Sequence, residues 1–496
     1  MAASAPLLAP STVCAQAWQA QAGVSSQLAW SSDPQFGLGN GREDLILDIR
    51  PYITIHREGP RFQASGTAAL NAITTVNGTE ERRVLPEADL NARLEALERF
   101  LYVEAGLRAL RISEDPFGAR PGPATHFNTM TSVQARLSPS IESTISPNMR
   151  YRLRSDNTTT RETGADSESA IPLAEGYFGR HAAFLEHDPK PLGWRIEAER
   201  SETRYRGDTQ QPLTLDLARL SVDYAVGANV TAGVRIGRER TSVLPDGDQD
   251  RNIVGAQASW RPSARTTLSA FHEKRFFGSS WNLGFDHRRP RFAWNIVLSR
   301  SLATAMQALF ELPPTNNVEA LLDAMFITRF PDPAERARAV DDFIARQGLP
   351  TQTLRPIDLH TRRLSLVTLR SATVAMTGIR NTVTLTAFAL HTEDAEQAGS
   401  LATGSSVGNN KQHGASAALT HRLSPTTALT VSSEWSRIRA TNAADLSIQR
   451  SATVRLNRQA SPWTVAFVGA RYRELDSNVA ADGEEGVLFV GFDHKF

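Results

Sequence analysis

Short segments in which apolar and polar residues alternate one by one fill most of the chain. In one segment Ala218, Leu220 and Val222 alternate with Arg219 and Ser221. Side chains on a β-strand point to its two faces in turn, so each segment predicts a strand with one apolar and one polar face. The pattern continues along the 496 residues without a long linker or a solenoid-type repeat. The sequence therefore predicts one large all-β body.

The connections between these segments fall into two classes that alternate along the chain. Short connections are predicted at 137–139, 226–228, 261–263, 288–290, 378–381, 423–425 and 459–461. Longer polar connections are predicted at 31–42, 75–85, 113–126, 155–175, 242–252, 392–410 and 475–485. Outer-membrane barrels have short periplasmic turns and long external loops, an asymmetry that a soluble sandwich does not show. Counted back from a final descending strand, the segments predict a single transmembrane antiparallel β-barrel of about 22 strands, within roughly 20 to 24.

Uninterrupted apolar runs in the chain are short. The longest, such as 487–490, are far below the ~18–20 residues that a membrane-spanning helix needs. A closed barrel satisfies every backbone group in lipid while half of each strand faces water, so its sequence is only mildly hydrophobic. We therefore expect an integral protein of the bacterial outer membrane, in contact with outer-membrane lipid and lipopolysaccharide.

The two ends of the chain carry signals for export and assembly. Residues 1–17 are predicted to be a signal-peptide remnant that ends at the small-residue site Ala15-Gln16-Ala17, although no basic segment precedes it. Cys14, the only cysteine, lies inside this segment, and Thr12-Val13 is a poor context for lipidation. Residues 18–496 are then the barrel. Phe492 and Phe496 lie on alternate positions of the last segment and are predicted to form the signal that the barrel-assembly machinery recognises, with His494 as an unusual residue between them.

One part of the sequence, 302–358, has helical rather than alternating spacing. Val318, Leu321, Leu322 and Met325 form one apolar stripe, and a second helix is predicted to begin at Pro331-Asp332-Pro333 and to end before Gly348. The strand count places this insertion on the external side. It is expected either to fold into the lumen as a plug or to cap the mouth.

Charged residues nearly balance, with 54 basic and 53 acidic side chains, which argues against a nucleic-acid partner. Only four of the basic residues are lysines; the skew to arginine suits anionic sugars or lipid A phosphates, or reflects codon bias. The residues predicted to line the lumen are Asp48, Arg50, Arg195, Glu197, Arg219, Asp223, Arg235, Glu239 and Arg455. They are expected either to create a transverse field or to pair with one another along a wet wall. Arg200, Arg238 and Arg240 continue the lipid-facing register at external strand ends and are the candidates for lipopolysaccharide contact.

Catalytic and metal-binding patterns are weak. The histidines are scattered and no nucleophile motif accompanies them, so no enzyme activity, catalytic residue or cofactor is predicted. Asp246, Asp248 and Asp250 form an acidic run, but Arg251 stands where a calcium loop needs glycine. The glycines at 37, 39 and 41 lack the strand-to-helix context of a phosphate-binding turn. No metal site is predicted.

Several short motifs together resemble the outer-membrane β-barrel family associated with the PEP-CTERM/exosortase system. They are Ser32-Asp33 with 44–55, Leu90-Asn91-Ala92 through Phe100-Leu101, Asp115-Pro116-Phe117-Gly118, Leu192-Gly193-Trp194, Phe330-Pro331-Asp332-Pro333-Ala334-Glu335-Arg336 and Gly378-Ile379-Arg380-Asn381-Thr382. The resemblance implies a barrel of exopolysaccharide-producing bacteria and carries over no catalytic residue. The expected function is a passive porin-like conduit, or an accessory component with polysaccharide-export or surface proteins as partners. The alternative is a docking barrel for envelope assembly without transport.

Overall fold

One antiparallel sheet of 22 strands forms the body of the protein. The structure is a computed structural model, and it describes residues 18–36, 43–76, 83–120, 128–163, 175–206, 212–242, 249–304, 306–307, 318–347, 349, 354, 356–357, 364–395 and 408–496. The predicted signal-peptide segment lies outside the described residues.

The strands follow one another along the chain with their sequence neighbours as sheet neighbours. Their bounds are β1 Gln19–Ser31, β2 Asp44–Glu58, β3 Phe62–Thr75, β4 Arg83–Leu97, β5 Leu101–Ser113, β6 Thr129–Ser146, β7 Met149–Thr163, β8 Gly176–His187, β9 Leu192–Tyr205, β10 Leu213–Gly227, β11 Val230–Thr241, β12 Gln249–Ser263, β13 Thr266–Arg275, β14 Gly278–Arg289, β15 Phe292–Thr304, β16 Leu364–Thr377, β17 Asn381–Asp394, β18 Asn410–Ser424, β19 Thr427–Ala440, β20 Leu446–Ser461, β21 Thr464–Ser477 and β22 Gly483–Lys495.

The last strand closes the sheet onto the first. β22 pairs with β1 in a register that places Val490 opposite Leu28 and Phe492 opposite Ser26. Beyond the strand, the Phe496 amide donates a hydrogen bond to the Ala22 carbonyl oxygen at 2.9 Å. Closure leaves no strand edge with unpaired backbone groups, and a sheet in lipid cannot tolerate such an edge. The predicted all-β barrel of 22 strands is confirmed.

Connection length differs between the two ends of the barrel. The hairpins at one end are short, at 59–61, 98–100, 147–148, 188–191, 228–229, 264–265, 290–291, 378–380, 425–426 and 462–463. The connections at the other end are longer, apart from the two residues Phe276 and Phe277 between β13 and β14. In outer-membrane barrels the long loops lie outside, so we call this the external end and the other the periplasmic end.

Two predicted connections differ most from the structure, whereas 261–263 and 459–461 lie directly before the observed hairpins at 264–265 and 462–463. Leu137-Ser138-Pro139 lies inside β6, and the hairpin lies after it at Pro147-Asn148. Proline is tolerated here because the ladder between β6 and β7 is interrupted at 138–139, so the missing backbone N–H breaks no ladder hydrogen bond on that side. On the other side Pro139 lies opposite Val103 on β5. The predicted long connection 155–175 is also too long, since β7 continues to Thr163. Its last residues are polar on both faces, so alternation no longer marks them as a strand.

The outer surface carries an apolar belt. Ile196, Val234 and Leu488 are 51–58% exposed on the outward registers, although they are large hydrophobic side chains. Aromatic residues border the belt, with Trp260 and Trp294 toward the periplasmic end and Trp30, Trp435 and Tyr472 toward the external end. Such a belt between aromatic girdles is the lipid-facing surface of a transmembrane barrel. The protein is therefore integral to the outer membrane. The helices of the described residues are too short and too polar to cross a membrane.

Two helices lie in the long connection between β15 and β16. They are α1, Val318–Phe326, and α2, Pro333–Gln347. Proline at the first helical position and the hydrogen bond from the Glu335 amide to Asp332 Oδ1 at 2.8 Å begin α2. Their shared core includes the buried residues Val318, Leu321, Leu322, Met325, Val340 and Ile344.

The helices are inside the barrel. Their core packs against Ala293 and Ala375, which lie on inward registers near the periplasmic ends of β15 and β16. The Gln347 carbonyl oxygen accepts a hydrogen bond from Thr430 Oγ1 on β19 at 3.1 Å. The chain leaves β15 at the external end, so this connection turns back into the lumen.

Candidate functional site in the lumen

The inner wall has two chemically different parts. Many inward residues of β15–β19 are small and buried: Ser371, Thr373, Ala375, Thr384, Thr386, Ala418, Thr420, Ala428 and Thr430. Small side chains leave room for a second layer, and the helices pack against this part of the wall. The inward residues of β5–β13 include many arginines and carboxylates among small and apolar side chains, and we call this part the charged wall. A passage through the barrel would run along it.

A connected network forms the centre of the charged wall. Glu273 on β13 is 1% exposed, and its Oε1 lies 2.5 Å from Arg219 NH1 and 2.8 Å from Arg235 NH1. The second guanidinium nitrogen of Arg219 lies 2.9 Å from Glu197 Oε2. The network continues to Asp223, because Gln257 accepts from Arg235 Nε at 2.5 Å and donates to Asp223 Oδ1 at 2.6 Å. Five neighbouring strands, β9 to β13, thus supply one chain of charge-assisted hydrogen bonds.

Further ion pairs extend this network along the wall. Arg195 lies 3.4 Å from Glu186 and 3.9 Å from Glu197, and its guanidinium stacks 4.2 Å from the centre of the Phe184 ring. Toward β5, Arg154 lies between Glu104 at 2.7 Å and Asp156 at 2.9 Å. Arginine suits such a wall because its planar fork can serve two carboxylates at once.

The other lumen candidates lie in separate groups. Glu239 is buried at the external end, where it accepts hydrogen bonds from Arg275 Nε and from the Phe276 amide, both at 2.7 Å. On β2, Arg50 Nε lies 2.9 Å from Glu87 Oε2, and Asp48 lies within electrostatic range of Arg50 and Arg111. Arg455 on β20 donates to Asn457 Oδ1 at 2.8 Å and stacks 3.9 Å from the Phe467 ring centre.

All nine candidates therefore lie on inward registers, but the structure joins only some of them. Four of the nine, Glu197, Arg219, Asp223 and Arg235, belong to the central network. Sequence reasoning missed its central acceptor Glu273 and the bridging Gln257. Glu273 lies in the run His272-Glu273-Lys274-Arg275, which is polar on both faces. Its inward register can be found only by counting from the outward Leu268 and Ala270.

The helices carry a group of acidic residues into the lumen. Partial desolvation inside the barrel, followed by the charges of Asp341, Asp323 and Asp89, raises the pKa of Glu319 on α1. Desolvation also raises the pKa of Asp341 on α2, with Lys495 and His56 opposing the shift and Asp342 adding to it. The acids of the helical pair therefore lie within electrostatic range of His56, Asp89 and Lys495 on the inner faces of β2, β4 and β22.

External connections also fold over the mouth. Phe117, in the β5–β6 connection, packs against Ile438 and Ala440 on β19. The Arg120 carbonyl oxygen accepts a hydrogen bond from Arg473 NH1 on β21 at 3.1 Å. Burial raises the pKa of Asp115 in the same connection, although the Phe117 and Gly118 amides oppose the shift. These contacts hold an external segment over the β19–β21 side of the lumen.

The candidates for lipopolysaccharide contact lie on the outer surface. Arg200 is 3.7 Å from Asp216, and Arg238 is 2.7 Å from Asp250. Arg240 pairs in register with both acids, opposite Asp216 on β10 and Asp250 on β12. All three arginines border a groove of about 770 Å³ whose floor includes Ala183, Ala198 and Ala218. Asp246 and Asp248 of the acidic run, like glycines 37, 39 and 41, lie outside the described residues.

The predicted assembly signal is on the surface. Phe492 is 42% exposed on the lipid-facing register, and Phe496 is 73% exposed after the last strand. His494 lies between them in sequence. Its Nδ1 is 2.8 Å from Thr464 Oγ1 on β21, and its ring packs edge-on against Phe496. These contacts show how a polar ring fits at this position.

Comparisons with known proteins find likeness to solved structures alone. No family model matches the chain, and no curated protein matches it. A variant of the FrpB iron transporter from Neisseria meningitidis is 9% identical, with a TM-score of 0.49 over 96% of this chain and 81% of that one. The siderophore receptor PirA from Acinetobacter baumannii is 8% identical, with a TM-score of 0.46 over 96% and 80%. The outer membrane protein opdK from Pseudomonas aeruginosa is 9% identical, with a TM-score of 0.35 over 96% and 99%. These values assign no residue role to this chain.

Proposed function

We propose that the protein is a porin-like conduit for small hydrophilic solutes, and that the helical insertion sets its aperture. The charged wall carries this proposal. A wall of ion pairs facing an apolar core would be costly, because buried charges lose hydration. Side chains of the wall such as Arg154, Arg180 and Arg195 remain 26–39% exposed to the lumen, as expected for a surface that water and solutes contact.

Selectivity of this conduit is expected to be weak. Arginines and carboxylates on the charged wall neutralise each other over distances of 2.5–3.9 Å, so neither sign of charge dominates along it. Charged rings of a single sign give channels strong ion selectivity, and the charged wall has mixed signs. We therefore infer a passive route for polar solutes.

Single-channel recording in planar bilayers tests the proposal. The comparison is between the full chain and a variant in which 305–363 is replaced by a short flexible linker. We expect small conductance from the full chain and a several-fold larger conductance from the variant. Absence of conductance from both, with heat-modifiable migration on gels showing a folded barrel, would rule out the conduit.

The well-packed insertion favours a second candidate function. Val318 and Leu322 are fully buried, and the helices bridge several parts of the inner wall. A lumen filled in this way suits a docking barrel that presents its external connections to envelope or surface proteins. Specific co-purification of partners through these connections, with unchanged solute uptake in a deletion strain, would favour docking over transport.

A link to exopolysaccharide export and exosortase-dependent surface proteins is a further proposal. It is supported by the sequence motifs that resemble the associated barrel family. Deletion of the gene in its native host tests it. Unchanged polysaccharide secretion and surface-protein display, together with neighbouring genes unrelated to either system, would reject the link and leave the conduit unaffected.

A further inference from the structure

The outward faces of β15–β20 carry an excess of basic side chains at their external ends. One row of residues in register consists of Arg300, Thr368, His391, Lys411 and Arg439. The next row toward the periplasm contains Arg370, Ala389, His413 and Arg437. We call Arg300, Arg370, Lys411, Arg437 and Arg439 the basic patch.

Acidic residues do not balance the basic patch. The six strands are fully described, and the acids in them are Glu393, Asp394 and Glu434. Asp394 and Glu434 share the inward registers, and Glu393 lies 3.6 Å from His391. Among the described residues, none of the five patch cations forms an ion pair, and the Nε atoms of Arg300 and Arg437 are buried without a hydrogen-bond partner. The patch therefore has donors in excess of acceptors.

The corresponding level of β8–β12 has a different charge pattern. A register row there runs His181, Arg200, Asp216, Arg240 and Asp250. Each arginine in this ladder faces a carboxylate on a neighbouring strand. An incoming anion would have to displace these carboxylates, so the three arginines predicted from the sequence to contact lipopolysaccharide form the weaker anion site. The basic patch offers its cations directly.

The surface beneath the basic patch is apolar across β15–β19 and ends at Arg450 on β20, which pairs with Glu474 at 2.9 Å. The next row toward the periplasm is Ala372, Ala387, Ala415 and Trp435. Ile296 continues this row on β15. A molecule that fits both levels has several anionic groups at the outer boundary of the membrane and acyl chains that descend from them.

We propose that the basic patch binds the phosphorylated headgroup of lipid A in the outer leaflet, with its acyl chains along the alanine row. Arginine binds phosphate oxygens through paired N–H donors, and cations near an anionic membrane surface gain affinity from each charge. The inference is independent of transport through the lumen.

The test compares two triple variants of the full chain purified in detergent. Arg370, Arg437 and Arg439 are changed to Gln in one, and Arg200, Arg238 and Arg240 are changed to Gln in the other as a matched control. Native mass spectrometry measures binding of diphosphorylated lipid A, and thermal unfolding measures the stabilisation that it confers. We expect the control to resemble the unmodified protein and the patch variant to lose affinity by at least about tenfold.

Two further measurements keep the result interpretable. Replacement of the same three patch arginines with Lys should restore part of the affinity, since charge remains. With the unmodified protein, enzymatically dephosphorylated lipid A and phosphatidylglycerol should both bind much more weakly. Equal binding by either lipid, equal loss in both triple variants, or unchanged binding by the patch variant would overturn the proposal.

Discussion

The guanidinium of Arg336 on α2 lies 2.7 Å from Asp323 Oδ1 on α1, and its NH1 also donates to the Phe330 and Pro331 carbonyl oxygens at 3.1 and 3.2 Å. One side chain therefore joins both helices and the segment between them. The Arg336 side chain is 13% exposed, whereas Asp323 is 38% exposed and stays in contact with water, so the backbone hydrogen bonds of Arg336 are the better shielded part of this junction.

Replacement of Arg336 should loosen the helical pair without unfolding the barrel. Arg336→Ala removes the ion pair and leaves two backbone carbonyls without this donor, at a cost of about 1–2 kcal/mol to the insertion. Hydrogen exchange should accelerate in α1 and α2 and remain slow in the strands. Arg329→Ala is the control, because Arg329 is exposed and its contact is stacking on Phe330. Equal acceleration in both variants would contradict this role.

The central network predicts a change of selectivity when its main acceptor is neutralised. Glu273→Gln removes the carboxylate that Arg219 and Arg235 share, so the wall gains net positive charge. The chloride-to-potassium permeability ratio should rise roughly twofold, equivalent to about 0.5 kcal/mol. Reversal potentials in a salt gradient measure it. Asp250→Asn removes an acid on the outer surface and should leave the ratio unchanged; a shift as large as that of Glu273→Gln would count against a conduction path along the charged wall.

The acids of the insertion predict a pH dependence of its docking. Desolvation and the neighbouring acids raise the pKa of Glu319, so the folded state binds this proton more tightly than the unfolded state. Stability is then fully present below the ordinary glutamate pKa and falls as the pH rises through the raised pKa. Amide hydrogens of the insertion should exchange faster at pH 8 than at pH 4.5, after correction for the intrinsic exchange rates at the two pH values.

A variant isolates this effect. Glu319→Gln should reduce the difference in exchange rate between pH 8 and pH 4.5. Glu335→Gln, in the exposed first turn of α2, should leave that difference unchanged. Burial also raises the pKa of Asp341, against the opposing charges of Lys495 and His56, so part of the pH dependence should persist in Glu319→Gln. Faster exchange at the acidic pH would reverse the predicted sign.

The sequence predicts the barrel well because its wall repeats one physical rule. Alternation at 218–222 or 452–457 depends on local contact with lipid on one side and water on the other, and so it can be seen in neighbouring residues. It fails at Pro139, where a gap in the ladder to β7 accommodates the missing amide. It also fails at 155–163, where the strand extends beyond the lipid and both faces become polar.

The arrangement of the lumen is less predictable because it depends on distant strands. The alternation of polar and apolar residues identifies Arg219 and Arg235 as inward residues. That they share Glu273 as a partner depends on the strand order and on the register of β12 with β13. The helical stripe at 318–325 is visible in the sequence. Its contact with Ala293 and Ala375 is not, because alanine on a strand has no pattern that marks it as a packing surface.

Ala375 gives the sharpest test of the position of the insertion in the barrel. Ala375 is 0% exposed beneath the helices, so Ala375→Leu would place a larger side chain in space already filled, at a cost of about 1–3 kcal/mol. We expect the helices to separate from the wall, with faster exchange in α1 and a larger conductance. Ala372→Leu, on the outward face of the same strand, adds the same atoms toward lipid and should change neither. If Ala375→Leu leaves both exchange and conductance at their original values, the wall contact does not hold the insertion in the lumen.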